Sequence, residues 1–89
     1  ILSQNYPNPF STSTTIEIEI PVTQNLTTEA LIVIYDIIGS KLQSIIPKKI
    51  SASSYVVNFN GAYYKNGIYY YQLIVGEYSS KAKRLILIN

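Results

Sequence analysis

Glu17 and Glu19 are the residues of this chain whose types and spacing come closest to catalytic chemistry. In the extended stretch TTIEIEI both side chains fall on one face. Their carboxylates would then stand roughly 6.5 to 7 Å apart at ordinary strand rise. An inverting glycosidase separates its general acid and general base by about that much. The same pattern equally describes the wet face of a strand, and the rest of the composition favours this plainer account. The chain has no histidine and no cysteine. It therefore lacks the commonest general base, the commonest transition-metal ligand and any thiolate or disulfide. The five acidic residues are scattered, and Asp36 is the only aspartate. A calcium cage draws on about six to eight oxygens, usually with several carboxylates. No catalytic residue, metal site or cofactor site follows from the sequence, and the expectation is a protein that is not an enzyme.

Nine tyrosines are the next candidates. Tyr69 and Tyr71 share one face of an extended run, Tyr70 takes the other, and Tyr63 and Tyr64 lie shortly before them. Rings exposed at Tyr63, Tyr64, Tyr69 and Tyr71 would stack on sugars, so a carbohydrate-binding or adhesion module is a rival reading. Tyrosine is also a favoured sheet residue, packing its ring while its hydroxyl reaches water, and that structural role is preferred. Lys81, Lys83 and Arg84 form a basic end within SSKAKRLILIN. Alternation puts Lys81 and Lys83 on one strand face, and Arg84 with Ala82, Ile86 and Ile88 on the other. Such charge guards an edge strand against aggregation or meets an acidic partner. Asn25-Leu26-Thr27 matches an N-glycosylation triplet, which matters only in a eukaryotic secretory host.

The elements that must position these residues are strands. Ile, Val, Thr, Tyr and Phe make up 37 of 89 residues, whereas Ala and Leu together supply 11, so helix formers are scarce. Strands are expected over residues 15–20, 30–35, 41–46, 54–59, 68–75 and 80–88. Pro21 and Pro47 stop the first and third, since proline donates nothing to a ladder. The apolar run 30–35 implies a strand covered on both faces, and the polar stretch 22–28 reads as a loop. Asp36-Ile37-Ile38-Gly39-Ser40 is a hairpin connection with glycine where a positive φ is needed. Asn60-Gly61 and Asn66-Gly67 mark further turns. Residues 1–13 hold two prolines and fit no strand pattern, so they form an ordered coil or a short edge strand. The expected fold is all-β, an Ig-like antiparallel β-sandwich of six to seven strands in one domain. Surface scaling buries roughly two-thirds of such a chain's surface, enough for one core.

A net charge of +2 is too mild to imply nucleic acid or an anionic membrane. The longest apolar run, residues 30–35, is far shorter than the roughly 20 residues of a membrane helix, so no transmembrane segment is expected. Charged residues are 13% of the chain, and Ser, Thr and Asn supply 23 of 89, a surface suited to a periplasmic or extracellular module. The chain opens at Ile1 with no methionine and no signal peptide, which reads as a module cut from something longer.

Several motifs together resemble a known family. Leu2-Ser3-Gln4-Asn5-Tyr6-Pro7-Asn8-Pro9-Phe10, followed by Ser13-Thr14-Thr15-Ile16, looks like the opening of the type A C-terminal sorting domains of the type IX secretion system. Ile34-Tyr35-Asp36-Ile37-Ile38-Gly39 resembles the family's "YD..G" hairpin, and Asn58-Phe59-Asn60-Gly61 its aromatic-Asp/Asn-Gly turn. Asn66-Gly67-Ile68-Tyr69-Tyr70-Tyr71-Gln72-Leu73 resembles its "SGIYFYRL" strand. The stretch from Lys81 to Ile88 resembles the closing basic-apolar strand. The five elements occur in order across almost the whole chain. Ser11-Thr12, Asn66 and Asn89 depart from the residues that are commoner at those places.

The resemblance implies a transport signal with no activity of its own. Such domains stand at the C-terminus of larger cargo proteins in Gram-negative bacteria. The cargo folds in the periplasm, and the sorting domain directs it through the outer-membrane translocon. A cell-surface sortase typically removes the domain, leaving cargo at the surface or in the medium. The implied partners are thus the type IX translocon, the sortase and a covalently linked upstream cargo domain, with no nucleic acid. Carried onto this chain, the sorting-signal motif comprises Pro7, Asn8, Pro9, Phe10, Gly39, Gly67, Tyr69, Lys81, Lys83 and Arg84. Pro7 and Pro9 would stiffen the first segment with Phe10 anchoring it to the core, while Gly39 and Gly67 would set turns. The final strand, through its charges or through an open edge that pairs with a partner strand, is the expected contact. An Ig-like structural spacer is the remaining alternative.

Overall fold

The computed structural model describes residues 1–21 and 29–89. The expected loop at 22–28 and the triplet Asn25-Leu26-Thr27 lie outside the described residues. Two antiparallel sheets pack face to face in an Ig-like sandwich. The first has the order β1 (Ser13–Glu19), β5 (Ser54–Asn60), β4 (Lys48–Lys49). The second runs β3 (Lys41–Ile45), β2 (Ala30–Tyr35), β6 (Gly67–Val75). Along the far side of β6 lie β7 (Tyr78–Ser79) and then β8 (Lys83–Leu87). Beyond the six longer strands, β4 and β7 are two-residue pairings, too short to carry a period of two.

Periodicity explains the packing. In β1, Ile16 and Ile18 face the core while Glu17 and Glu19 face solvent, as a half-wet strand requires. Ile32 and Ile34 of β2 join the core, and Val33 on its other face is buried as well, so the apolar run is covered on both sides. Val57 and Phe59 from β5 meet Tyr71 and Leu73 from β6, with Leu85 and Leu87 from β8 closing the layer. At roughly 25 cal/mol per Å² of apolar surface, burying each such side chain contributes about 1.5 to 3 kcal/mol.

The last strand begins at Lys83, not at residue 80. Ser80 explains the delay. Its hydroxyl accepts from Leu73 N at 2.9 Å and its N–H donates to Leu73 O at 2.9 Å. The Gln72 amide takes its carbonyl at 2.8 Å. A side chain thus stands in the ladder at this point, and β8 starts only after the chain has turned. Alternation therefore holds from Lys83 onward and does not extend to Lys81.

Candidate functional site

Residues 1–10 form a strap that closes one side of the sandwich. Proline has no N–H to give a ladder, so Pro7 and Pro9 prevent a continuous strand, and both follow cis peptide bonds. The residues around them pair one at a time. Ser3 N donates to Glu17 O at 3.0 Å, Glu19 N to Ile1 O at 2.9 Å, and Tyr6 and Thr15 exchange both bonds at 2.9 Å. Up to Tyr6 the strap thus covers the free edge of β1. It then crosses to the other sheet. Ile86 N donates to the Asn8 side-chain oxygen at 2.9 Å, Phe10 N to Ile86 O at 2.9 Å, and Ile88 N to Phe10 O at 2.8 Å. Gln4 Nε2 donates to Arg84 O at 2.7 Å. Asn8 acts here as a surrogate backbone carbonyl where the prolines deny a regular one.

Asn5 holds the strap's inner side and is 2% exposed. Its Nδ2 donates to Thr14 Oγ1 at 3.0 Å and to Pro7 O at 3.1 Å. Its backbone N–H donates to the Tyr71 hydroxyl at 2.7 Å, which in turn donates to Ser3 O at 2.6 Å. Burial pushes the Tyr71 hydroxyl up from its ordinary 10.0 to about 12, opposed in smaller part by the Asn5 N–H. Among the described residues no buried side-chain polar atom is left unpaired.

The structure thus gathers most of the predicted motif onto one seam. Asn8 and Phe10 lie directly on β8, and Pro7 and Pro9 shape the crossing. Phe10 is 3% exposed and meets Phe59 edge-to-face at 6.1 Å. Gly67 opens β6 opposite Leu87, with φ +152°, and Tyr69 pairs with Leu85. Arg84 is exposed, whereas Lys83 is half-buried on the same strand face as Leu85 and Leu87. Lys81 is exposed and lies before the strand. The outer edge of β8, expected to be open for a partner strand, is instead occupied by Asn8, Phe10 and Gln4 of the strap. Gly39 stands apart, beyond β2 and β6, at φ +90° in the β2–β3 turn.

The tyrosines do not assemble into one exposed platform. Tyr71 has 0% exposure and offers no ring face, because its side chain fills the core under the strap. Tyr64 stacks on Phe59 at 5.5 Å and meets Tyr69 edge-on at 5.8 Å, continuing a ladder from Phe10. The Tyr69 hydroxyl donates to Lys65 O at 2.6 Å, and that of Tyr64 to the Gln43 side-chain oxygen at 2.9 Å. Only Tyr63 among the four is fully open, at 94%. Glu17 and Glu19 border a shallow depression on the outer face of the first sheet, beside Ser3, Ile50 and Tyr55. Among the described residues no three acidic, histidine or cysteine side chains gather to hold a metal, and no helix is long and apolar enough to cross a membrane.

Sequence reasoning missed Gln4, Asn5 and the second role of Gly61. A Cβ on Gly61 would lie 3.0 Å from Phe10 Cε2 and 3.2 Å from the Leu87 methyl carbons, so glycine is there for room between strap and β8. Its place after Asn60 signals a turn, and nothing local signals the crowding. An asparagine between a glutamine and a tyrosine likewise carries no local mark of burial.

Comparison with known proteins gives one match. A family model described as "secretion system C-terminal sorting domain" matches residues 4–89, nearly the whole chain. No curated protein and no solved structure matches it.

Proposed function

The chain belongs to the C-terminal sorting domains of the type IX secretion system, and from that premise we propose that it is a non-catalytic export signal. It directs a covalently linked upstream cargo from the periplasm through the outer-membrane translocon, after which a cell-surface sortase removes it. The observation that carries this reading is the family match, which runs from the strap to the end of the chain. The geometry supports it in one respect. The first and last motifs of the sequence, Pro7 to Phe10 and Lys83 to Leu87, form a single seam and can be read as one folded surface. A rigid surface loses little conformational entropy when it is bound. Arg84 is exposed on this seam, Lys81 is exposed just before it, and both suit an acidic partner.

The test is a secretion assay in a bacterium carrying the type IX system. Residues 1–89 are fused behind a fluorescent reporter that bears a periplasmic signal peptide, beside a version lacking residues 83–89. The intact fusion is expected at the surface or in the medium and the truncation in the periplasm. Retention of the intact fusion, in a host that exports a native sorting domain, would falsify the reading.

A further inference from the structure

The side of the sandwich away from the strap carries a groove of about 490 Å³ between β3 and the end of β5. That volume falls within the roughly 300 to 1,000 Å³ of ordinary small-ligand sites. Its lining includes the buried Phe59, the half-buried Ile45 and Tyr64, and the exposed Leu42, Gln43 and Tyr63. Tyr63 is 94% exposed, so its ring is open to a ligand. No charged side chain lines the groove. Lys41 and Lys65 adjoin Leu42 and Tyr64 in the sequence but take no part in the lining.

β5 brings polar backbone to this groove. Ile20 N donates to Ser53 O at 2.8 Å, and Gly61 N to Thr12 O at 2.9 Å. These bonds bracket the β1–β5 ladder, so antiparallel alternation turns the N–H and C=O of Asn58 and Asn60 away from β1. On that side β4 takes up Val56 through Lys48 and reaches no further along β5. The backbone groups of Asn58 and Asn60 therefore have no partner among the described residues. Their side chains are held elsewhere: Asn58 Oδ1 accepts from Thr15 Oγ1 at 3.0 Å, and Asn60 Oδ1 from Ala62 N at 2.9 Å. Across the groove, the Gln43 side-chain oxygen is taken by the Tyr64 hydroxyl, which leaves the Gln43 amide nitrogen as a donor.

We propose that this groove binds a neutral carbohydrate, with a sugar ring stacked on Tyr63 and hydroxyls bonded to the open edge of β5 and to Gln43. A hydroxyl both donates and accepts, so a sugar meets N–H and C=O groups alike. Its C–H face packs on the apolar face of a tyrosine ring. Other occupants fit worse. An added peptide strand would find two open residues before meeting β4, fewer than the roughly three of the shortest ordinary strands. A purely apolar ligand would take water from the Asn58 and Asn60 backbone and return no hydrogen bond. An anion would find no cation in the lining. Tyr69 and Tyr71 contribute nothing to this site, which is built from strand edges and one open ring.

The test is a titration of the isotope-labelled domain, read from its amide resonances, with cellohexaose, maltohexaose, xylohexaose and mannohexaose at millimolar concentration. Polygalacturonate and an alternating threonine–valine hexapeptide are the anionic and strand-forming comparisons. At least one neutral sugar is expected to shift the Asn58 and Asn60 amides while leaving those of Val57 and Phe59, which point to β1, nearly unmoved. Tyr63→Ala should weaken that binding at least tenfold and Tyr63→Phe should retain it. Tyr78→Ala, at a tyrosine exposed outside the groove, should leave it unchanged. Both positions are exposed, and each variant should melt at the parent's temperature. No shift with any of the four sugars overturns the proposal, and so does binding that survives Tyr63→Ala. Stronger binding of polygalacturonate, lost in high salt, overturns the neutral ligand in favour of Lys41 and Lys65. Stronger binding of the hexapeptide overturns the sugar in favour of strand pairing. The titration contains no export step, so its result and that of the secretion assay stand or fall separately.

Discussion

At the residue scale Tyr71 carries the most structural weight. Its ring has 0% exposure, and its hydroxyl accepts from Asn5 N and donates to Ser3 O. Phenylalanine at this position keeps the ring but leaves a buried N–H without its acceptor, a loss of about 1 to 3 kcal/mol. Urea unfolding of Tyr71→Phe should show that decrease at pH 7. The pH dependence has a definite sign. Folding raises the hydroxyl's pKa from 10.0 to about 12, so the folded state resists deprotonation that the unfolded chain undergoes freely. The stability tied to the protonated hydroxyl is fully present below pH 10.0 and is lost as pH rises through about 12. A shift of that size corresponds to about 2 to 3 kcal/mol. The parent should therefore lose its advantage over Tyr71→Phe between those values, and an advantage that stays constant to pH 12 would refute the assignment. None of this was visible in the run Tyr69-Tyr70-Tyr71, where period alone says which rings share a face and not which face is under the strap.

At the element scale, legibility followed how much of an element's order is local. The alternation of β1 and the apolar run of β2 name their strands because one face, or both, must be buried wherever they sit. Pairings such as β4 and β7 hold two residues and have no period to read. The strap was legible as irregular, from its prolines, but its course depends on edges contributed by β1 and β8 from distant parts of the chain. The same gap hid the fate of the β8 edge. Since Ile86 N and O point to the strap, the flanking Leu85 and Leu87 groups must bond to β6, as antiparallel pairing alternates. Replacing Asn8 by alanine removes the acceptor for Ile86 N and should cost about 0.5 to 1.5 kcal/mol. Hydrogen exchange should then speed up at the Ile86 amide well beyond any change at Leu85 and Leu87. Equal acceleration at all three would mean that β8 opens as a unit and that Asn8 gives it no separate protection.

At the scale of the whole molecule, the strap is what makes two sheets a closed body on that side. It covers the outer edge of β1 in one sheet and of β8 in the other, while sending Leu2 and Phe10 into the shared core. An uncovered strand edge is a template for another chain, and two such edges side by side are a stronger one. The opposite edge strand, β3, is short, begins with Lys41 and is followed two residues later by Pro47, features that discourage pairing. The intact domain should accordingly be monomeric in sedimentation, with a radius of gyration near the 12.8 Å of its Cα trace. Deleting residues 1–10 should do more than lower stability by the loss of Phe10, itself worth about 3 to 5 kcal/mol in a truncation to alanine. It should convert the domain into a species that self-associates through β1 and β8. The Phe10→Ala variant separates the two effects, because it empties the core but keeps the strap's backbone on both edges. Self-association of the deletion but not of Phe10→Ala would assign edge protection to the strap itself. If both remain monomeric, or both associate alike, core loss alone governs the behaviour and the edge argument fails.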